Sequence, residues 1–251
     1  MTGPGWALIT GASRRIGRAL ALAAAQSGYD VAVHGRAEES AQKTVQAVRE
    51  LGRSAVSLIG DLTDAAACAA LVTGAPAAPT LLVNCASLFE DDRIQSLDVG
   101  NWDAIMATNL RAPVLLAQAF AAALPAGREG LIVNVIDQRV WRLNPRFFSY
   151  TISKAALWTA TQTLAQALAP RIRVNAIGPG PTLPSIHQSA ETFAAEAAAT
   201  PLARAVAPGE IARALVFLIE ARSVTGQMIA VDAGQHLAWR TPDVLADGSH
   251  D

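Results

Sequence analysis

The strongest constraint on the fold is the alternation, along the whole chain, of short apolar runs with longer segments of helical spacing. The runs are continuously apolar, as expected of strands whose two faces are both buried. Such an alternation predicts a parallel sheet with helices on both faces. We therefore predict an α/β fold built on a doubly wound parallel sheet of about seven strands. The predicted strands are Trp6–Thr10, Asp30–His34, Ala55–Ile59, Thr80–Asn84, Leu131–Ile136, Ile172–Ile177 and Met228–Val231.

Domain boundaries are absent from the pattern. No linker divides the 251 residues, so we predict a single domain over residues 1–251 with its core at about 5–237. Long helices are predicted at Trp102–Leu124 and Phe148–Ala169. The segment Thr182–Thr200 interrupts the pattern and is predicted to be a mobile helical lid over the substrate. The polar segment Thr241–Asp251 is predicted to be loosely ordered.

Composition and charge exclude several classes of function. The formal net charge is −1, without the basic excess that nucleic-acid binding requires. The two cysteines and four histidines show no disulfide framework and no metal-ligand spacing, so we expect no metal. We find no signal peptide, and the longest apolar stretch, Val114–Ala126, is too short to cross a bilayer. These features predict a cytoplasmic protein with no nucleic-acid or membrane partner.

A glycine-bearing turn joins the first predicted strand to the first predicted helix. The turn runs from Thr10 to Gly17, and this layout places phosphate groups at a helix N-terminus. The second strand ends in His34, Gly35 and Arg36 with no acid before Glu38, whereas a carboxylate there would favour NAD. Arg36, helped by Arg14 and His34, could pair a 2′-phosphate, which favours NADPH over NADH. The alternative is that these cations are only solvated surface residues.

Three further residues form a candidate catalytic group. Tyr150 and Lys154 are four apart, so a helix would place them on one face. A cation beside a phenol favours the phenolate and lowers its pKa. Asp137 stands thirteen residues before Tyr150, at the end of the fifth predicted strand. We therefore expect the carboxylate of Asp137, at the end of a strand, to lie next to the phenol of Tyr150 and the amine of Lys154 on a helix.

Taken together, the motifs resemble the short-chain dehydrogenase/reductase family, whose fold is Rossmann-like. The resemblance covers Trp6 to about Leu237 and includes the glycine turn, Asp61-Leu62, Asn84-Cys85-Ala86, Asn109, Tyr150-x-x-x-Lys154, Pro179-Gly180 and Val231-Asp232-Ala233-Gly234. It implies that Tyr150 donates a proton, that Lys154 holds the nicotinamide ribose, and that Asn109 supports a water. It also implies a homotetramer. The implied cofactor-binding residues are Gly11, Arg14, Arg15, Ile16, Gly17, His34, Arg36, Asp61, Leu62, Asn84, Ala86, Ser87, Tyr150, Lys154, Pro179, Gly180 and Thr182.

Two departures from the usual family pattern resemble the pteridine reductase branch, which includes dihydromonapterin reductases. Arg15 replaces the middle glycine of the turn, and Asp137 replaces the usual catalytic serine. Ser87 and Phe89 also resemble that branch, in which a serine contacts the pterin and a phenylalanine stacks on it. The implied substrate contacts are Arg15, Ser87, Phe89, Asp137 and Tyr150.

The physical chemistry of Asp137 agrees with this branch. An ionised carboxylate only accepts hydrogen bonds, which suits the N–H donors of a pterin and would oppose a developing alkoxide. We therefore predict an NADPH-dependent reductase that transfers hydride to a ring C=N bond of a dihydropterin. The alternatives are a carbonyl reductase acting on 3-oxoacyl chains or other ketones, and a non-catalytic NADP(H)-sensing protein.

Overall fold

One parallel sheet forms the centre of the molecule. A computed structural model describes residues 4–185 and 188–239. In that part of the chain seven strands pair in the order β3-β2-β1-β4-β5-β6-β7, and every neighbouring pair is parallel. The strands are β1 Trp6–Ile9, β2 Asp30–Gly35, β3 Ala55–Ile59, β4 Pro79–Asn84, β5 Gly130–Val135, β6 Ile172–Pro179 and β7 Met228–Val231.

Helices cover both faces of the sheet. Alternate residues of a strand point to opposite faces, so β1 sends Ala7 and Ile9 into one core and Leu8 into the other. The first core contains side chains of α1, α2 and α8, and the second those of α3, α5 and α6. The helices are α1 Arg15–Gln26, α2 Glu38–Glu50, α3 Ala65–Thr73, α4 Val99–Met106, α5 Ala112–Ala123, α6 Phe148–Leu168, α7 Ala190–Ala198 and α8 Pro208–Glu220. The predicted doubly wound α/β fold is confirmed.

The long helix predicted at Trp102–Leu124 is interrupted. A π-helical turn, Ala107–Arg111, separates α4 from α5. Pro113 lies just after this turn and has no N–H to donate to the carbonyl of Asn109, four residues earlier. Proline is one of the usual causes of an irregularity in a helix. As a result Asn109 lies at an irregular point of the helix, next to the candidate site.

The segment Val99–Ala123 is, within the described residues, long and apolar enough to span a membrane. Half of its most apolar window, which has a mean hydropathy of 1.2, is buried inside the protein. The same length and composition occur in core helices of proteins without a membrane span.

The segment predicted as a lid contains one helix, α7. Glu196 of α7 accepts hydrogen bonds from Gln188 and from Gln235, at 2.7 and 2.9 Å. The mobility of this segment stays a prediction, and its residues 186–187 lie outside the described residues. The tail predicted at Thr241–Asp251 also lies outside the described residues.

Candidate active site

The predicted site residues gather where the strands end. Parallel strands bring their carboxyl ends to one edge, and β1 lies between β2 and β4, where the direction of winding reverses. Ligands of open α/β sheets bind at such a switch point. The loops that meet there carry the glycine turn after β1, Arg36 after β2, Asp61 and Leu62 after β3, Ala86–Phe89 after β4, Asp137 after β5, and Gly180–Thr182 after β6.

Two positions of the glycine turn have no room for a side chain. Gly11 has φ +64°, and a Cβ there would lie 2.8 Å from the Cα of Ala86. A Cβ at Gly17 would lie 2.1 Å from the carbonyl oxygen of Gly11. Thr10 ties the turn to the next loop, since its hydroxyl accepts from the N–H groups of Cys85 and Ala86 at 3.0 and 3.1 Å. The turn and the loop after β4 therefore form one rigid unit.

Helix α1 begins at this unit with an uncapped N-terminus. Arg14 occupies the N-cap position without a side-chain capping bond, and the first turn contains no acidic residue. Ile16 packs against the core instead. Free N–H groups and the helix dipole attract phosphate at such a position. The geometry fits the pyrophosphate of a dinucleotide.

Two cations beside the turn are available to a second phosphate. Arg14 and Arg36 are exposed, and their side chains form no hydrogen bond or salt bridge within residues 4–185 and 188–239. Asp61 lies nearby, where the N–H and hydroxyl of Thr63 and the charge of Arg36 hold the pKa of its carboxyl below the usual value. Its neighbour Leu62 is buried in the core.

Arg15 contacts the predicted lid. It adopts φ +52°, a left-handed conformation that costs a residue with a side chain roughly 1–2 kcal/mol. Its two terminal nitrogens donate to the carbonyls of Pro184 and Leu183 at 2.9 and 3.1 Å. The residue in the usual glycine position thus links the glycine turn to the first residues of the lid.

His34 does not supply the charge that the sequence suggested. The imidazole is 2% exposed; its Nδ1 accepts from the N–H of Gly11 at 3.2 Å, and its Nε2 donates to the carbonyl of Gly60 at 3.1 Å. Burial lowers the pKa of His34 below its usual value, so the ring is neutral. A neutral ring with both nitrogens engaged supports the glycine turn, and the pairing of His34 with a 2′-phosphate has no basis in this geometry.

Asn84 also points into the protein. Its amide nitrogen donates to Asn134 at 2.8 Å, and Asn134 donates to Thr161 at 2.9 Å. The side-chain oxygen of Asn84 is buried and has no partner in the described part of the chain. Asn84 therefore links the ends of β4 and β5 through its amide nitrogen. Its side-chain oxygen remains available as an acceptor at the sheet edge where the cofactor is expected.

Asn109 holds the loop after β4. Its side-chain oxygen accepts from the N–H of Leu88 at 2.8 Å and from the hydroxyl of Ser87 at 3.2 Å. Its amide nitrogen donates to the carbonyl of Leu88 at 2.9 Å and to Ser153 on α6 at 3.1 Å. The buried amide thus fixes Ser87 and the neighbouring Phe89 relative to α6, which carries Tyr150.

The predicted catalytic group is assembled. The hydroxyl of Tyr150 donates to Oδ2 of Asp137 at 2.9 Å. Lys154 donates to the carbonyl of Val135 at 2.9 Å, and its Nζ lies 5.6 Å from the centre of the Tyr150 ring. Strand β5 and helix α6 therefore bring the three side chains to one point, as the spacing indicated.

The charges at this point differ from the expectation. Burial, followed by the charge and hydrogen bond of Asp137, raises the pKa of Tyr150 well above its usual value, so the phenol keeps its proton. The sequence suggested that Lys154 would lower this pKa. Burial lowers the pKa of Lys154 itself to about 8. Burial also raises the pKa of Asp137, against the opposing charge of Arg139.

Two phenylalanine rings pack in a row beside Tyr150. Phe89 meets Tyr150 edge to face at 4.7 Å between ring centres and stacks on Phe147 at 4.1 Å. Phe147 adopts φ +52° immediately before α6. The guanidinium groups of Arg139 and Arg146 lie 5.2 and 5.5 Å from the centre of its ring.

Sequence reasoning expected substrate choice to depend on the loop 139–147 and on the lid, but it gave no individual role to three residues of this cluster. Phe147 and Arg139 lie in the loop 139–147, which has no periodicity. Asp92 is buried and accepts from the N–H of Ser149 at 3.1 Å, which caps the helix that carries Tyr150. The only signal available was the position of Arg139, two residues after Asp137.

The loop after β6 completes the edge. A Cβ at Gly180 would lie 2.6 Å from the Cα of Asp232, so Pro179 and Gly180 pass directly against the loop after β7. The hydroxyl of Thr182 donates to the carbonyl of Gly180 at 2.9 Å. Its oxygen can still accept a hydrogen bond from a ligand.

The arrangement combines a phosphate-binding turn, a protonated phenol, a carboxylate and a flat aromatic surface. No group of three or more His, Cys, Asp or Glu side chains among the described residues could hold a metal ion. The site can therefore bind a dinucleotide, accept from N–H donors and release one proton.

Comparisons with known proteins agree with this description. A family profile described as enoyl-(acyl carrier protein) reductase matches residues 11–236. The crystal structure of FolM alternative dihydrofolate reductase 1 from Brucella canis, complexed with NADP, is 48% identical with a TM-score of 0.91 and covers 95% of this chain and 96% of that chain.

Two curated relatives have other names. The 3-oxoacyl-[acyl-carrier-protein] reductase FabG of Staphylococcus aureus is 30% identical, covering 92% of this chain and 98% of its own. The galactitol 2-dehydrogenase of Rhizobium johnstonii is 33% identical, covering 91% of this chain and 93% of its own. The similarity therefore spans the whole fold in proteins named for different substrates.

Proposed function

Because this chain belongs to the short-chain dehydrogenase/reductase family, we propose that it reduces a ring C=N bond of a dihydropterin with NADPH. It is an oxidoreductase, and NADPH is its cofactor. The observation that carries the choice of substrate is the contact between Asp137 and the hydroxyl of Tyr150, 2.9 Å long, where most of the family places a serine. Further support comes from the 48% identity to a protein named an alternative dihydrofolate reductase.

The residues present fit NADPH. The uncapped N-terminus of α1 would bind a pyrophosphate. Arg14 and Arg36, whose side chains have no partner within residues 4–185 and 188–239, would bind the 2′-phosphate. Lys154 and Thr182 would hold the nicotinamide half, with Ser87 and the leftover oxygen of Asn84 close to it. When bound, NADPH supplies the hydride.

The protein's own groups supply acceptors, a surface and a proton. Asp137 would accept from the N–H donors of a pterin ring, and Phe89 would stack on it, worth about 0.5–1.5 kcal/mol beyond burial. Ser87 and Arg15 would contact the same ring. As hydride reaches the carbon of the C=N bond, Tyr150 would give its proton to the nitrogen, which leaves a C–H and an N–H.

The second candidate is a carbonyl reductase. The relatives named for 3-oxoacyl and galactitol substrates favour it. The carboxylate of Asp137 speaks against it, because a negative charge beside a carbonyl oxygen opposes the alkoxide that forms. A non-catalytic NADP(H)-sensing role is disfavoured, because Tyr150, Lys154 and Asn109 are all in place. A homotetramer and a cytoplasmic location remain part of the proposal.

The variants Asp137→Ser and Phe89→Ala separate the two enzymes. The pterin proposal expects Asp137→Ser to lose most dihydropterin reduction, with NADPH affinity little changed, and Phe89→Ala to raise KM for the pterin. The measurement is steady-state NADPH oxidation with dihydropterins, dihydrofolate and a panel of ketones. Wild-type protein that is inert toward every dihydropterin, active on ketones and improved by Asp137→Ser would overturn the proposal.

A further inference from the structure

We infer that Arg139 is a positioning residue that holds Asp137 in its ionised, proton-accepting form. The inference rests on the role proposed above for Asp137. It adds a residue to the site that neither the family motifs nor the glycine turn includes.

The geometry of Arg139 is fixed by its own loop. Its backbone N–H donates to Oδ1 of Asp137 at 2.8 Å, which opens the 3₁₀ turn Gln138–Val140. Its Nη1 donates to the side chain of Asn144 and to the carbonyl of Arg146, both at 3.2 Å. The guanidinium lies over the ring of Phe147. The cation is thus held within the candidate site by three contacts that do not involve a carboxylate.

One nitrogen of this guanidinium has no acceptor. The Nε of Arg139 is buried and makes no hydrogen bond within the described residues. A buried donor without a partner is unfavourable, and such groups require an explanation in a native structure. No salt bridge neutralises the charge of Arg139 in the described part of the chain, and this charge lowers the pKa of the Asp137 carboxyl against the effect of burial.

The other charged and titratable groups near this loop are neutral or have partners of their own. On α6, Tyr150 is protonated and Lys154 is bound to the carbonyl of Val135. After β4, Cys85 has its pKa raised to about 12 by burial and is neutral. Arg146 pairs with Asp91 at 2.7 Å, and beyond Trp141 the ring of His236 pairs with Asp232 at 2.7 Å. Among the charges that lower the pKa of Asp137, that of Arg139 is larger than that of Lys154.

The protonation of Asp137 decides what the site can recognise. The ionised carboxylate accepts from the hydroxyl of Tyr150 and from N–H donors of a substrate, whereas the neutral acid would present a donor. Burial alone drives the carboxyl toward the neutral acid. The fixed cation of Arg139 opposes burial and extends the acceptor form to lower pH.

The test compares Arg139→Met, which removes the charge, with Arg139→Lys, which keeps it. Arg142→Met is the matched control, because Arg142 is an exposed arginine of the same loop whose side chain has no hydrogen bond in the described part of the chain. The first readout is a pH titration of the Asp137 carboxyl by ¹³C NMR in cofactor-free protein, with the signal assigned by its loss in Asp137→Asn. The second is the pH profile of kcat/KM for a dihydropterin.

The expected result is an upward shift of the Asp137 titration in Arg139→Met, a smaller shift in Arg139→Lys and none in Arg142→Met. The acidic limb of kcat/KM should move to higher pH in the same order. An unchanged Asp137 titration in a folded Arg139→Met protein would overturn the inference. It would show that the Arg139 side chain only stabilises its own loop. If the titration shifts but no dihydropterin is reduced, the inference stands and the proposed function fails. If Arg139→Met does not fold, Arg139→Gln replaces it as the neutral variant: an Asp137 titration at higher pH than in Arg139→Lys supports the inference, and equal titrations in the two variants overturn it.

Discussion

Lys154 is a buried ammonium whose hydrogen-bond partner is a neutral carbonyl. It is 2% exposed and donates to Val135, and no salt bridge to a carboxylate is present within the described residues. Burial lowers its pKa from 10.5 to about 8. Below that pH the side chain is charged in both the folded and the unfolded chain, so the folded state carries the full cost of burying the charge.

This cost should be relieved as the pH rises. Between about 8 and 10.5 the folded protein loses the Lys154 proton while the unfolded chain keeps it, so stability from this group increases with pH. Relative to Lys154→Met, the unfolding free energy of the wild type should be flat below pH 8 and rise by up to about 3 kcal/mol above it. Denaturant titrations of both proteins across this range provide the measurement. A constant difference at all pH values would show that the pKa of Lys154 is not lowered.

Tyr150 is the proton donor in the proposed reaction, and its removal should affect chemistry more than binding. Tyr150→Phe keeps the ring that contacts Phe89 and removes only the hydroxyl bonded to Asp137. Turnover should fall by about 10²–10⁴-fold, with NADPH affinity retained. Tyr29→Phe, at the other tyrosine of the chain, is the control and should keep turnover. Near-normal kcat for Tyr150→Phe would mean that another group donates the proton.

At the scale of elements, regular periodicity determined what could be predicted. The apolar runs placed β5 and α6 within one or two residues of their observed ends, and the thirteen-residue spacing brought Asp137 to Tyr150. The conformation of the loop 139–147 could not be predicted in this way. Its 3₁₀ turn and the left-handed conformation of Phe147 produce no repeating pattern in the sequence. The inward turn of His34 depends on a tertiary contact with the Gly11 N–H that no local pattern encodes.

The link between α1 and the lid can be tested at Arg15. Arg15→Gly removes two hydrogen bonds to the lid carbonyls and also relieves the left-handed strain, which glycine tolerates. The two effects oppose each other, so global stability should change by no more than about 1 kcal/mol. Amide hydrogen exchange in residues 188–198 should become faster, whereas exchange in the sheet should not. Arg14→Ala, which has no lid contact in the described structure, is the control, and equal exchange in both variants would contradict the link.

At the scale of the whole molecule, the proposed cofactor site lies between the two halves of the sheet. The glycine turn follows β1, Arg36 follows β2, and Asp137 and Lys154 belong to the half that begins with β4. A ligand that contacts both halves binds only the folded chain, and it stabilises that chain according to its concentration and affinity. Protection against unfolding is therefore a measure of cofactor affinity that does not depend on knowing the substrate.

NADPH should protect the protein more than NADH does. At a concentration about 100 times Kd a ligand adds about 2.7 kcal/mol to the unfolding free energy. Loss of a hydrogen bond to a charged group costs about 1.5–3 kcal/mol, so Arg36→Ala should lose most of the extra protection by NADPH and leave that by NADH unchanged. Lys43→Ala removes an exposed cation from α2 and should alter neither. The measurement is the melting temperature of the three proteins with each cofactor. Equal protection of the wild type by NADPH and NADH would show that Arg36 and Arg14 do not bind a 2′-phosphate.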